Sequence, residues 1–129
     1  MKIATHREID NRLCGNPVET KNGYSRVTLK TVQEMAADEQ GLVHGGFVFG
    51  MADYAAMIAV NHPHVVLGSA DVKFLKPVAV GQDLVAEAGV TETRGKKRMV
   101  KVTVCRNGEP VFSGEFTCFV PDSHVLENT

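Results

Sequence analysis

The sequence predicts an α+β protein in which an antiparallel sheet of five to six strands wraps around one long central helix. Three observations predict it. The stretch 44–60, HGGFVFGMADYAAMIAV, is apolar on every side at helical spacing, and a helix without a polar face has to be covered all round. At ~1.5 Å per residue it is roughly 24 Å long, and it falls short of the ~20 apolar residues of a membrane span. Four stretches after it alternate apolar and polar residues, the pattern of antiparallel strands that cover something on one side only. Between the last two, Asn107-Gly108 signals a tight hairpin. A single domain over residues 1–129 is expected, because 43% hydrophobic residues supply one core at this length.

Taken in order, Ile3, Ile9 and Leu13 among charged neighbours read as a short amphipathic helix over 3–13, ended by Gly15-Asn16-Pro17. After the turn Asn22-Gly23, residues 24–30 alternate as a strand. Residues 32–40 are polar and Ala-rich, a short helix or loop leading to the long helix. Asn61-His62-Pro63-His64 stops that helix, since proline disfavours helical geometry in the residue before it. Strands follow at 65–76 (Ala70, Val72 and Phe74 on one face), 83–93 (Leu84, Ala86, Ala88, Val90), 99–106 (Val100, Val102, Val104) and 111–120 (Phe112, Phe116, Cys118, Val120). Pro77 to Gly81 and Arg94-Gly95-Lys96 turn the chain between them.

A net charge of -1 argues against a nucleic-acid or membrane-surface binder, which needs a basic excess. Residues 1–8 show no apolar run after the basic residue, so no signal peptide is expected. Cys14, Cys105 and Cys118 are odd in number and lack metal-ligand spacing. These features predict a reduced, cytoplasmic protein with no disulfide and no metal.

Asp53 is the one charged residue of the long helix. Desolvation should raise its pKa unless a partner compensates. Two readings stand: a functional carboxylate, or one that reaches solvent or caps neighbouring amides. At the helix start, Gly45-Gly46 leaves backbone N–H groups approachable at the positive end of the helix dipole, either as an oxyanion-type donor or simply as a tight turn. Gly45 and Asp53 are eight residues apart, about 12 Å along one helix axis, too far to act on one carbon atom. Two copies packed antiparallel about a two-fold axis would bring the amide end of one near Asp53 of the other. Gly46, Gly50, Ala52, Ala56 and Ala59 are small enough for such an approach, so an obligate oligomer is expected.

Gly41-Leu42-Val43-His44-Gly45-Gly46, Ala52-Asp53, Phe74-Leu75-Lys76-Pro77 and Gly81-Gln82-Asp83-Leu84 together resemble the acyl-CoA thioesterases of the hotdog superfamily, in particular the phenylacetate-pathway type. The resemblance runs over about residues 38–120. It implies a hotdog fold, thioester hydrolysis, Gly45 as oxyanion donor, and Asp53 of the partner subunit as nucleophile or base. It implies no cofactor beyond the CoA of the substrate, and a homodimer or homotetramer. His44 matches the family motif, either in the chemistry or as a ring that fixes the loop. Gly46, Phe47 and Ser69 are expected at the substrate, Ser69 as an approximate match to a Ser or Thr of the following strand, with Leu67 as the other occupant of that place. Asp38 stands where many members carry Asn or Gln, and reads either as a second site carboxylate or as a surface residue. Lys73, Lys76, Arg94, Lys97 and Arg98 are expected to meet the CoA phosphates; for each, a solvated charged position is the alternative. A hotdog hydratase using His44 with Asp53, and a non-catalytic acyl-CoA-binding module, are the competing functions.

Overall fold

The structure, a computed structural model, describes residues 1–128, so Thr129 of the expected domain lies outside the described residues. One helical turn, α1 (Asn11–Cys14), is capped by the Asp10 side chain, which accepts from the amide of Arg12. Gly15 then turns the chain at φ 101° into β1 (Asn16–Lys21); a Cβ there would lie 2.6 Å from Val27 Cγ1, so only glycine fits. β2 (Tyr24–Lys30) follows, and a 3-10 turn at Gln33–Met35 leads into α2 (Gly45–Val60). β3 (Val66–Phe74), β4 (Asp83–Arg94), β5 (Lys97–Arg106), β6 (Glu109–Phe119) and a last 3-10 turn at Val125–Asn128 complete the described chain.

The strands form one antiparallel sheet in the order β1-β2-β4-β5-β6-β3, curled around α2. This is the hotdog architecture. α2 lies mainly across β2, β4 and β5, where Val27, Leu84, Ala86, Val100, Val102 and Val104 are buried beneath it. Ser25, fully buried on β2, donates to the Ala55 carbonyl at 2.6 Å and ties helix to sheet.

Four expectations need correction. The helix over 3–13 shrinks to α1, because His6 has φ 52° and Asn61 pins residues 2–4: its Oδ1 accepts from the Ala4 amide at 2.7 Å and its Nδ2 donates to Lys2 O at 2.9 Å. β1 was not foreseen, since a register shift between Pro17 and Glu19 erases its alternation and proline suits an edge strand. The alternation in β3 is real but uncovered: Ala70 is exposed, and Phe74 is 56% exposed. Ala52, Ala56 and Ala59 pack fully against the protein's own core, so only Gly46 and Gly50 remain as small residues on the open side of α2.

Candidate active site

The entrance of α2 is held from three sides. His44 N donates to Met35 O (2.9 Å), Val43 N to Val78 O (2.8 Å) and Val80 N to Gly41 O (2.9 Å), and Met35 is fully buried. His44 is the N-cap: its Nδ1 accepts from the amide of Gly46 at 2.9 Å, which leaves the ring proton on Nε2. A Cβ on Gly46 would lie 2.9 Å from that nitrogen, so the cap needs glycine there. Phe47 N donates to His44 O (3.0 Å), and its half-buried ring meets the His44 imidazole edge-on at 6.4 Å. Among the described residues nothing accepts from the Gly45 N–H. Gly45 lines a cavity of about 310 Å³ walled by Val43, Val48, Phe74, Leu75 and Val78, with Lys76 also lining it.

Asp53 lies two turns further on. Its Oδ1 is fully buried and has no hydrogen-bond partner among the described residues. Burial pushes its pKa up to about 6. The reading in which this oxygen caps neighbouring amides therefore fails. Asp53 lines a second cavity of about 380 Å³, together with Met57, Leu67, Thr5, His6 and His64. Buried Cys118 lies close by; burial first, then the Asp53 charge, pushes its thiol up to about 12, which rules it out as a thiolate at neutral pH. Gly45 and Asp53 thus face different cavities of one chain.

Asp38 is not beside Asp53 within the chain. It is exposed, and its Oδ1 accepts from the amides of Gln40 (3.0 Å) and Leu42 (3.1 Å), which shapes the loop before α2. Ser69 is exposed on β3 opposite Thr117 and lines neither cavity, whereas Leu67 lines that of Asp53. The cations do not form one patch. Lys76 stands at the Gly45 cavity and pairs with Glu109 at 3.1 Å, and Lys73 is near it on β3. Arg94, Lys97 and Arg98 occupy the opposite end of the sheet, where Lys97 faces Phe119 and Phe119 faces Val66. There Arg94 pairs with Glu92 at 3.2 Å and Arg98 donates to Gly95 O at 2.7 Å. Sequence reasoning missed His6, His64 and His124, which all line the Asp53 cavity. No spacing signal links residues so far apart in the chain. Among the described residues no three His, Cys, Asp or Glu side chains are placed to share a metal ion, and no helix is long and apolar enough to cross a membrane.

Residues 40–113 match the family model described as Thioesterase superfamily. The crystal structure of an uncharacterized protein, PH1136 from Pyrococcus horikoshii, is 53% identical, with a TM-score of 0.96 over 98% of this chain and 97% of that one. A curated relative from Aquifex aeolicus, named methylthioribose-1-phosphate isomerase, is 53% identical over 95% of this chain, which spans only 27% of that protein. The transcription factor FapR of Caldanaerobacter subterraneus is 32% identical over 74% of this chain and 48% of its own length. The chain therefore spans less than half of either curated relative, and the two names disagree.

Proposed function

The chain belongs to the Thioesterase superfamily, and from that premise we propose that it hydrolyses the thioester bond of an acyl-CoA to a carboxylic acid and CoA. The observation that carries this reading is Asp53, whose Oδ1 is buried without a partner on an otherwise apolar helix, eight residues beyond a free Gly45 amide. A carboxylate kept without a partner in that setting costs stability and needs a use.

The site is completed by a second copy. Gly46, Gly50 and Asp53 follow one another at four- and three-residue steps and lie along the less buried side of α2, and a Cβ at Gly50 would meet nothing within 4 Å. Beside that side lie exposed Phe74 and the free edge of β3. A long uncovered edge strand invites pairing. Antiparallel packing of two such faces sets Gly45 of one copy near Asp53 of the other. The Gly45 N–H then donates to the thioester carbonyl oxygen as negative charge develops on it. Asp53 takes a proton from water as the water oxygen bonds to the carbonyl carbon, or attacks that carbon itself and is freed by water. The carbon–sulfur bond breaks, and the CoA sulfur leaves as thiolate and gains a proton.

This reading proposes a homodimer with two shared sites, two of which could pair into a homotetramer, and a single domain that uses no metal and no cofactor other than substrate CoA. It places the protein in the cytoplasm, in keeping with three free cysteines, and it extends the phenylacetate-pathway resemblance to the layout of the site. Lys76 is the cation best placed for a CoA phosphate, since it stands at the Gly45 cavity.

A second reading, a non-catalytic acyl-CoA-binding module, is favoured by the similarity to a transcription factor. A hydratase using His44 with Asp53 has less support, because the His44 Nδ1 is engaged by Gly46. Thiol release from a panel of short, medium, branched and aromatic acyl-CoAs, run beside Asp53→Asn, tests the proposal. Release by the parent with a loss of about 100-fold or more in the variant supports it. Tight binding with no release gives the binding module instead.

A further inference from the structure

Resting on the thioesterase reading, we propose that the Asp53 cavity is the acyl pocket and that it selects a short, uncharged hydroxyacyl group over a plain alkyl one. The carrying observation is the convergence of three histidines from distant segments on this one cavity. His6 comes from the N-terminal segment, His64 from the loop between α2 and β3, and His124 from the stretch before the last 3-10 turn.

Each ring has one nitrogen already used. His6 Nδ1 bonds Thr5 Oγ1 at 2.7 Å. His64 Nδ1 lies 3.2 Å from the Pro121 carbonyl, which can only accept, so Nδ1 carries a proton and, in the neutral ring, Nε2 keeps its lone pair. His124 Nδ1 accepts from the Leu126 amide at 3.1 Å, so its Nε2 carries a proton. Among the described residues no hydrogen bond reaches the Nε2 of any of the three. The wall therefore offers an acceptor at His64 and a donor at the more exposed His124, and a hydroxyl group can answer either one, whereas an alkyl chain answers neither. An alkyl chain displacing water from this wall would leave the His64 Nε2, on the more buried of the two rings, without a partner, whereas exposed His124 keeps its access to solvent.

Charge narrows the class further. No Lys or Arg of the same chain lines the cavity, whereas Asp53 does, so a second carboxylate on the acyl group meets repulsion there. The rings are not grouped to share a metal ion. The cavity measures about 380 Å³ within one chain, at the small end of the roughly 300–1,000 Å³ of small-molecule pockets, which suits a short acyl chain. The apolar Gly45 cavity, with Lys76 on its wall, is left for the pantetheine arm and the phosphate end of the substrate.

The test compares kcat/KM for matched pairs: 3-hydroxybutyryl-CoA against butyryl-CoA, and 3-hydroxyhexanoyl-CoA against hexanoyl-CoA, with succinyl-CoA as the anionic control. The expected result is a preference of about tenfold or more for each hydroxyacyl partner, with succinyl-CoA the poorest. In His64→Leu and His124→Leu the preference falls toward one. Equal or better turnover of the alkyl partners by the parent overturns the proposal and moves the acyl chain to the Gly45 cavity. A preference unchanged in both variants overturns it as well. If no acyl-CoA releases thiol, the thioesterase reading has failed separately. Calorimetric binding of the same pairs then decides the pocket: a tenfold hydroxyacyl preference upholds it and equal affinities end it.

Discussion

The two ends of the stretch of α2 proposed to carry the chemistry are built on opposite terms. At Gly45 the backbone is fixed by hydrogen bonds from the loop and the His44 cap, and what is offered to a substrate is an amide that any helix start leaves free. At Asp53 the backbone is ordinary helix, and what is offered is a charged side chain whose Oδ1 has no partner. The first end is a well-bonded arrangement, and the second holds a buried oxygen without a partner; on the proposed function, substitutions at the two ends should separate activity from stability accordingly.

The largest effect is expected for Asp53→Asn. Thiol release should fall by about 10²–10⁴-fold, while stability at neutral pH should rise. The sign follows from the raised pKa, from 3.8 to about 6. Below pH ~4 the carboxyl is protonated in both folded and unfolded chains, so parent and variant should match. Between pH ~4 and ~6 the unfolded chain ionises first, and the parent loses stability as pH rises. Above that window the variant should be more stable by up to about 3 kcal/mol, measured by urea denaturation at pH 4 and pH 8. In the parent, kcat/KM should climb with pH and level off above about 6, as the base ionises. A variant that loses activity without gaining stability would show that Asp53 is compensated in the assembled protein.

Next comes the other end. Gly45→Pro removes the free N–H at the first helical position, where proline is tolerated, and His44 at φ -61° and ψ 130° already suits the residue before a proline. Activity should drop by about 10²–10³-fold, the loss expected for one oxyanion donor, with the fold intact by circular dichroism. The added ring must share space with Phe74, whose Cε1 would lie 3.1 Å from a new Cβ. Refolding Gly45→Pro and Asp53→Asn chains together then breaks or sharpens the comparison directly. If each site takes its amide from one copy and its carboxylate from the other, mixed dimers carry one intact site, and about a quarter of parental activity should return. No recovery would mean that both groups serve within one chain.

The same contrast explains what was legible beforehand. The fold class, the span of α2 and the strands from β3 to β6 follow from alternation and an all-apolar helix, signals that depend on neighbours in sequence. Gly45 and Asp53 stood out for a similar reason: each breaks a local rule that a single stretch reveals. β1 was hidden because a register shift removes its period. The exposure of Phe74 on β3 was hidden because alternation marks a face without saying whether this chain covers it. The Asp53 cavity was hidden most completely. His6, His64 and His124 line one cavity in a fold where Asn61 pins the N-terminal segment and the Pro121 carbonyl holds His64, and neither contact leaves a mark in composition or spacing. The five cations show the reverse case. They fall in two short stretches of sequence, 73–76 and 94–98, and were expected together at the CoA phosphates, but the sheet separates the two stretches to its two ends.

The smallest effect is expected at the residue that joins backbone order to the motif. His44→Ala removes the acceptor of the Gly46 amide, and losing a helix N-cap costs about 1 kcal/mol, a fall in Tm of about 3–4 °C for a domain of this size. The Gly45 N–H itself should keep its aim, because the backbone bonds from His44 to Met35 and from Val43 to Val78 do not use the imidazole. Thiol release should therefore decline only a few-fold, far less than for Gly45→Pro. If the two losses prove equal at a temperature where both variants are folded, the ring acts on the substrate through Nε2, the nitrogen its cap leaves unused. The N-terminal end would then be a side-chain site as much as Asp53 is, and the contrast between the two ends of α2 would no longer hold.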